Sequence, residues 1–184
     1  MKTRNRSTAI SLPVTLTEAK AFYRVIGTDQ DVEITRTLSL ATEKAEQITN
    51  RQIVRATMEA FCDTFKSSFA IPKPPLVSVT KVEYIDVNDA IQPWTDYYID
   101  DVIEPAVIYF NTVPADVRTE GANNVIITYE CGYAEVPESI KYFVLNYGLT
   151  RFENREGEVI GTIVNDDIAE NVKHLLDDYR IIPV

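Results

Sequence analysis

A chain with one histidine has few routes to acid–base or nucleophilic chemistry near neutral pH, and here that residue is His174. A Ser-His-Asp or Cys-His arrangement would need it as the base. It falls on the polar side of a helical stretch beside Lys173, Asp177 and Asp178, with no nucleophile-elbow sequence anywhere, so it reads as a solvated surface imidazole. Asp86, Asn88 and Asp89 begin like a calcium loop, but Ile91 stands where that loop needs glycine and Tyr97 where it needs glutamate, which leaves a turn. Asp96, Asp100, Asp101 and Glu104 are near enough in sequence to hold a hard cation, yet follow no ligand spacing. Cys62 and Cys131 lack metal-ligand spacing and are too few for a disulfide framework; buried free thiols in a reducing cytoplasm are expected. The six glycines form no phosphate-cradling motif. No catalytic residue, cofactor site or metal site is expected, and the chain does not read as an enzyme.

The elements that would position these residues change period twice. Thr15 or Thr17 can cap a short helix to about Val25, with Leu16, Ala19, Phe22 and Tyr23 as its apolar side and Gly27 ending it. Thr28 and Asp31 resemble a capping box that opens a longer helix to Asn50, where Ile34, Leu38, Ala41, Ala45 and Ile48 share one face. From residue 52 to 135 short β-branched and aromatic runs replace the helical period: 54–62, 68–71, 78–85, 97–99, 107–110 and 125–130, punctuated by proline, glycine and asparagine. One small antiparallel sheet is the expectation. A helix over 138–154 and a last one over 166–179 close the chain, joined by a loop at 155–164. The fold class is therefore α+β: a helical bundle from residues 13–51 and 136–184, a β domain inserted at 52–135, and a basic arm at 1–12.

Net charge is −10, unevenly spread. Residues 1–51 hold eight Lys/Arg against six Asp/Glu, 52–135 five against thirteen, and 136–184 five against nine, giving +2, −8 and −4. A protein that grips DNA through phosphates needs a basic patch, and only Lys2, Arg4 and Arg6 offer one. Tight DNA binding is disfavoured. No run approaches the roughly 20 apolar residues of a membrane span, and the basic start lacks the apolar centre of a signal peptide.

The 138–154 helix has two apolar stripes. At about 100° per residue, Ile140, Phe143, Val144 and Tyr147 form one, and Tyr142, Leu145, Leu149 and Phe152 another on nearly the opposite side. A solvated surface helix needs only one such arc. Either this helix is buried wholly within its subunit, or its second stripe (Tyr142, Leu145, Leu149, Phe152) is a subunit interface.

Several junction words carry a resemblance. Pro13-Val14-Thr15-Leu16-Thr17-Glu18-Ala19-Lys20, Ile48-Thr49-Asn50-Arg51-Gln52-Ile53 and Pro74-Pro75-Leu76-Val77-Ser78-Val79-Thr80-Lys81-Val82, in that order, precede Tyr129-Glu130-Cys131-Gly132-Tyr133, Val136-Pro137-Glu138-Ser139-Ile140-Lys141 and Leu175-Leu176-Asp177-Asp178-Tyr179-Arg180. Together they resemble the head-tail connector, or adaptor, proteins of the neck of tailed double-stranded DNA phages, over about residues 12–182. The chain departs from that pattern at Asp177-Asp178, where a proline often precedes the Tyr-Arg pair, and in its longer 155–164 loop.

The resemblance implies a structural virion protein in a homo-oligomeric ring, commonly of twelve copies, under the portal. One side would bind the portal protein and the other a stopper or tail-completion protein, with DNA passing through without tight binding. The subunit would wait in the host cytoplasm and end in the virion neck. It also favours portal docking by the tail, Tyr179, Arg180, Ile181, Ile182 and Val184, whose aliphatic side chains otherwise fold back on the helices. A small cytoplasmic enzyme with a carboxylate site, or a monomeric binding module using the sheet, are the alternatives.

Overall fold

The computed structural model describes residues 1–7, 12–153 and 172–181. The chain divides into two units, each made from two stretches of sequence: Met1–Ile10 with Arg55–Ala134, and Ser11–Val54 with Glu135–Val184.

The first unit is all β. Its strands are β1 (Lys2–Asn5), β2 (Ala56–Cys62), β3 (Ser68–Ala70), β4 (Leu76–Ile85), β5 (Ile91–Trp94), β6 (Tyr97–Asp100), β7 (Val107–Phe110) and β8 (Val125–Cys131). They form two antiparallel sheets, of order β1-β2-β8-β4-β5 and β3-β7-β6, rather than the single sheet expected. On one face of β2 and β8, Ala56, Met58, Ala60 and Cys62 are buried opposite Cys131, Tyr129, Ile127 and Val125, while Glu59 and Thr128 are buried on the other face. Phe69, Ile108 and Phe110 from the smaller sheet complete the same core. Phe65 meets Phe110 edge-on at 5.0 Å, a geometry that aromatic quadrupoles favour.

β1 and β5 were not anticipated. Residues 1–12 read in sequence as a basic arm without a strand; Lys2 to Asn5 pair in register with Phe61 to Met58. Four polar residues carry no apolar alternation, so their strand state comes from the open edge of β2. Pro93 similarly obscures β5, where as an edge-strand residue it is tolerated.

The second unit is helical: α1 (Leu16–Tyr23), α2 (Asp31–Thr49), α3 (Glu138–Glu153) and a 3-10 helix (Lys173–Tyr179). Thr15 caps α1 in a full capping box, its hydroxyl accepting from Glu18 N–H while the Glu18 carboxylate accepts from Thr15 N–H at 2.7 Å. Arg24, at φ 57°, ends the helix before Gly27 is reached. No capping box forms at Thr28 and Asp31. Instead Gln30 precedes α2 without a side-chain cap, and Asp31 is drawn to Lys20, whose ammonium bridges Asp31 (2.6 Å) and the Gly27 carbonyl across the turn. Asn50, again at φ 57°, closes α2.

α2 packs on α3, with Ile34, Leu38, Ile140, Phe143 and Val144 essentially without solvent contact. Each such side chain contributes roughly 1.5 to 3 kcal/mol by leaving water. α1 lies against both helices, and the 3-10 helix, with Leu176 buried, packs on α2 and α3. The last helix was expected to start at residue 166; its start lies outside the described residues, as does the 155–164 loop, and its described part winds as 3-10. Among the described residues no helix is long and apolar enough to cross a membrane.

Candidate functional site

The residues with chemical potential are occupied structurally. Asp86 is almost fully buried and accepts from Gln92 Nε2 (2.8 Å) and from the backbone N–H groups of Ala90 (3.0 Å) and Asn88 (2.8 Å), which hold its carboxyl below the usual range. This is a turn, as its sequence suggests. Asp96 accepts from the Thr112 hydroxyl and from Asn111 Nδ2, and these lower its pKa as well. A carboxylate site for acid catalysis requires the opposite shift. Among the described residues no three His, Cys, Asp or Glu side chains converge as a metal site would need. His174 is exposed. Cys62 and Cys131 are buried and in no disulfide, and burial pushes the Cys62 thiol up to about 11.

Surfaces therefore carry the functional question. Most of the first stripe of α3 is core: Ile140, Phe143 and Val144 are buried, and Tyr147, half-buried, stacks on Phe143 at 5.6 Å. The second stripe is partly covered by the chain's own α1. Phe22 meets Tyr142 edge-on at 6.0 Å, and Tyr23 lies 5.6 Å from Phe152. Leu145 and Leu149 are half-buried, while Tyr142 remains 49% exposed. The double stripe thus has an intramolecular cause for one part, and an open margin at Tyr142 for the rest.

The C-terminal segment is tied down at its root. Ile181 N–H donates to the Thr49 carbonyl (2.9 Å), Asn50 Nδ2 donates to the Ile181 carbonyl (2.9 Å), and Arg51 Nε donates to the Tyr179 carbonyl (2.6 Å). Tyr179 and Ile181 therefore fold back on the end of α2. Arg180 stays exposed, and Ile182 and Val184 lie outside the described residues. Asn50 and Arg51 were legible only as a junction word; the αL turn that points their side chains at the C-terminal strand of chain is a tertiary fact. Glu46 secures the same exit by accepting from Gln52 Nε2 (2.7 Å) and Ile53 N–H (2.9 Å).

The basic patch at the N-terminus is offset in part by one carboxylate. Arg4 and Arg6 both reach Glu59 on β2, Arg4 Nε at 3.1 Å and Arg6 Nε at 2.9 Å. Burial opposes ionisation of Glu59, but the two arginine hydrogen bonds outweigh it and lower the carboxyl pKa. Arg4 also lies over the Phe61 ring at 5.2 Å. The sequence gives no hint of this pairing, since 55 residues separate Arg4 from Glu59.

No protein-family model and no curated protein matches the chain. Solved structures do. The fold is similar to a chain of the neck of an empty gene transfer agent (GTA) particle computed with C6 symmetry, at TM-score 0.78. It is also similar to chains of the virion of a native GTA particle (0.77) and of the neck of a native GTA particle computed with C12 symmetry (0.71). In each case identity is 15%, and the likeness covers 100% of this chain and 97% of the other, so what is shared is the whole fold.

Proposed function

We propose that this protein is a structural component of a virion neck, a head-tail connector that forms a ring under the portal, joins capsid to tail and lets the genome pass. The observation that carries this reading is the end-to-end likeness in fold to chains of neck assemblies with C6 and C12 symmetry. The junction words of the sequence support the same role independently.

A ring protomer meets a neighbour on each side through a heterologous contact. The α1–α3 face, with Tyr142, Leu145, Leu149 and Phe152, supplies one such surface. Twelve copies, a portal partner at the C-terminal segment and a stopper or tail-completion partner on the other face complete the proposal. The −8 balance of residues 52–135, with Arg4 and Arg6 already committed to Glu59, suits a conduit that does not hold phosphates. The chain is proposed to fold as a subunit in the host cytoplasm before joining the neck.

The test is reconstitution. Purified protein mixed with portal-bearing, tail-less capsids should add a ring of density at one vertex by electron microscopy and should not add to capsids lacking the portal. Failure to bind the portal vertex at saturating protein would overturn the reading.

A further inference from the structure

The turn between β6 and β7 presents an apolar pair open to solvent. Val102 is 90% exposed and Ile103 54%, which is unusual for two consecutive aliphatic residues at a strand turn. Asp100 accepts from Val102 N–H at 3.2 Å, so the tip has a defined shape. Carboxylates flank the pair: Asp100 and Asp101 before it, Glu104 after it. Tyr98 and Tyr109 stack at 5.0 Å behind the turn and stiffen the hairpin.

The helical unit carries a surface of opposite character. Between α2 and α3 lies a cleft of about 390 Å³ lined by Leu40, Glu43, Lys44, Gln47, Tyr147 and Arg151. Its apolar elements are Leu40, 48% exposed, and the Tyr147 ring. Its rim is cationic on balance, with Lys44 and Arg151 against Glu43. The Arg151 guanidinium is held over the Tyr147 ring at 5.1 Å and donates to its hydroxyl at 3.2 Å. That fixes a planar donor fork at the mouth of the cleft.

We propose that the Val102–Ile103 hairpin tip of one copy docks in the α2–α3 cleft of a second copy, with Lys44 and Arg151 facing Asp100 and Asp101. Charge complementarity selects this occupant: a cleft with two cations and one anion meets a tip where Asp100 and Asp101 adjoin two exposed aliphatic side chains. Both surfaces belong to the same chain but are different surfaces, so the contact is head-to-tail and propagates from copy to copy until a ring closes. This inference rests on the ring reading above and names a contact within it.

Cysteine pairing tests it on the full-length chain. Val102→Cys and Leu40→Cys proteins, mixed at high concentration under mild oxidation, should give a covalent heterodimer at least ten-fold above a Val87→Cys plus Leu40→Cys control, Val87 being comparably open. Lys44→Glu with Arg151→Glu in the Leu40→Cys partner should lower the yield about ten-fold, and Asp100→Lys with Asp101→Lys in the Val102→Cys partner should restore it. Circular dichroism verifies that these surface variants stay folded. Yield no better than the control, or indifferent to charge reversal, overturns the contact. So does a double-cysteine chain that links only to itself. Electron microscopy and non-reducing gels of a chain carrying both Val102→Cys and Leu40→Cys, added to portal-bearing capsids and then oxidised, separate the two levels: rings without the 102–40 disulfide between copies refute this contact alone, whereas no ring refutes the reading beneath it.

Discussion

The Tyr23 hydroxyl of α1 sits directly against the Cα of Gly148 in the middle of α3, so that a Cβ at position 148 would run into it. Glycine costs a helix interior about 1 kcal/mol relative to alanine, and here that cost admits an aromatic ring between two helices. The buried Tyr23 hydroxyl makes no well-formed hydrogen bond among the described residues. Gly148→Ala should therefore lower stability by about 1 to 2 kcal/mol, overpacking exceeding the gain in propensity. Adding Tyr23→Phe should recover most of it in urea unfolding, because the hydroxyl is the clashing atom. Equal losses in the single and double variants would place the strain elsewhere.

Alkaline pH acts on the same residue. Burial pushes the Tyr23 phenol up to about 12 and raises Tyr129 as well, while tyrosines of the unfolded chain ionise near pH 10. The folded state thus keeps a proton that the unfolded state releases. Stability is full below pH 10 and falls as pH rises from 10 through 12, by up to roughly 2 kcal/mol for Tyr23. Tyr23→Phe should flatten the decline measured between pH 9 and 12, and an unchanged slope would rule Tyr23 out as its source.

On α3, charge should separate core from contact surface. Phe143→Asp should unfold the free subunit, as loss of a buried Phe costs about 3 to 5 kcal/mol even without the added charge. Tyr142→Glu and Leu145→Glu should leave far-ultraviolet circular dichroism near wild type yet stop ring formation on portal-bearing capsids. Normal rings from Tyr142→Glu would remove this face from the subunit contact.

The tail prediction follows from where the chain is pinned. Truncation after Ile181 spares the bonds to Thr49, Asn50 and Arg51, so the protein should fold with an unchanged melting temperature and lose attachment to the portal. Retained attachment would show that residues 182–184 do not dock there.

Duplex DNA should not be retarded by the wild type at physiological salt. Glu59→Gln releases both arginine charges, and a weak affinity that vanishes with added salt should then appear. Because the Glu59 pKa is lowered by those partners, their stabilisation is present above the ordinary carboxylate range and lost as pH falls below it. Hydrogen-exchange protection in β1, taken relative to the intrinsic rate at each pH, should accordingly fall in acid. Strong binding by the wild type would mean a basic surface that the linear charge count hides.

Local signals were legible where one element decides. The α1 cap at Thr15 and Glu18, the face of α2, and six of the eight strands follow from period and punctuation. Readings failed where a distant partner decides. β1 exists because β2 has an open edge, the Thr28 cap yields to Lys20 competing for Asp31, and the tail folds back because Asn50 adopts φ 57°. The α3 stripes illustrate the middle case: their spacing announced two covered faces, but not that Phe22 and Tyr23 of the same chain supply part of the cover. The exposed Val102 and Ile103 between carboxylates were present in the sequence as an apolar pair in an acidic turn, a mismatch that only solvent exposure makes interpretable.

Each unit takes its parts from both sides of the other in sequence, and this sets a timetable for synthesis. β8 lies between β2 and β4, so the larger sheet cannot close until residue 131 has left the ribosome. α2 waits longer: its Ile34, Leu38, Ala41 and Ala45 have only α1 beside the helix until α3 emerges about a hundred residues later. At about 5 to 20 residues per second, that stripe stays incompletely covered for roughly 5 to 20 s. A polysome translating this chain therefore holds several incompletely covered α2 stripes at once.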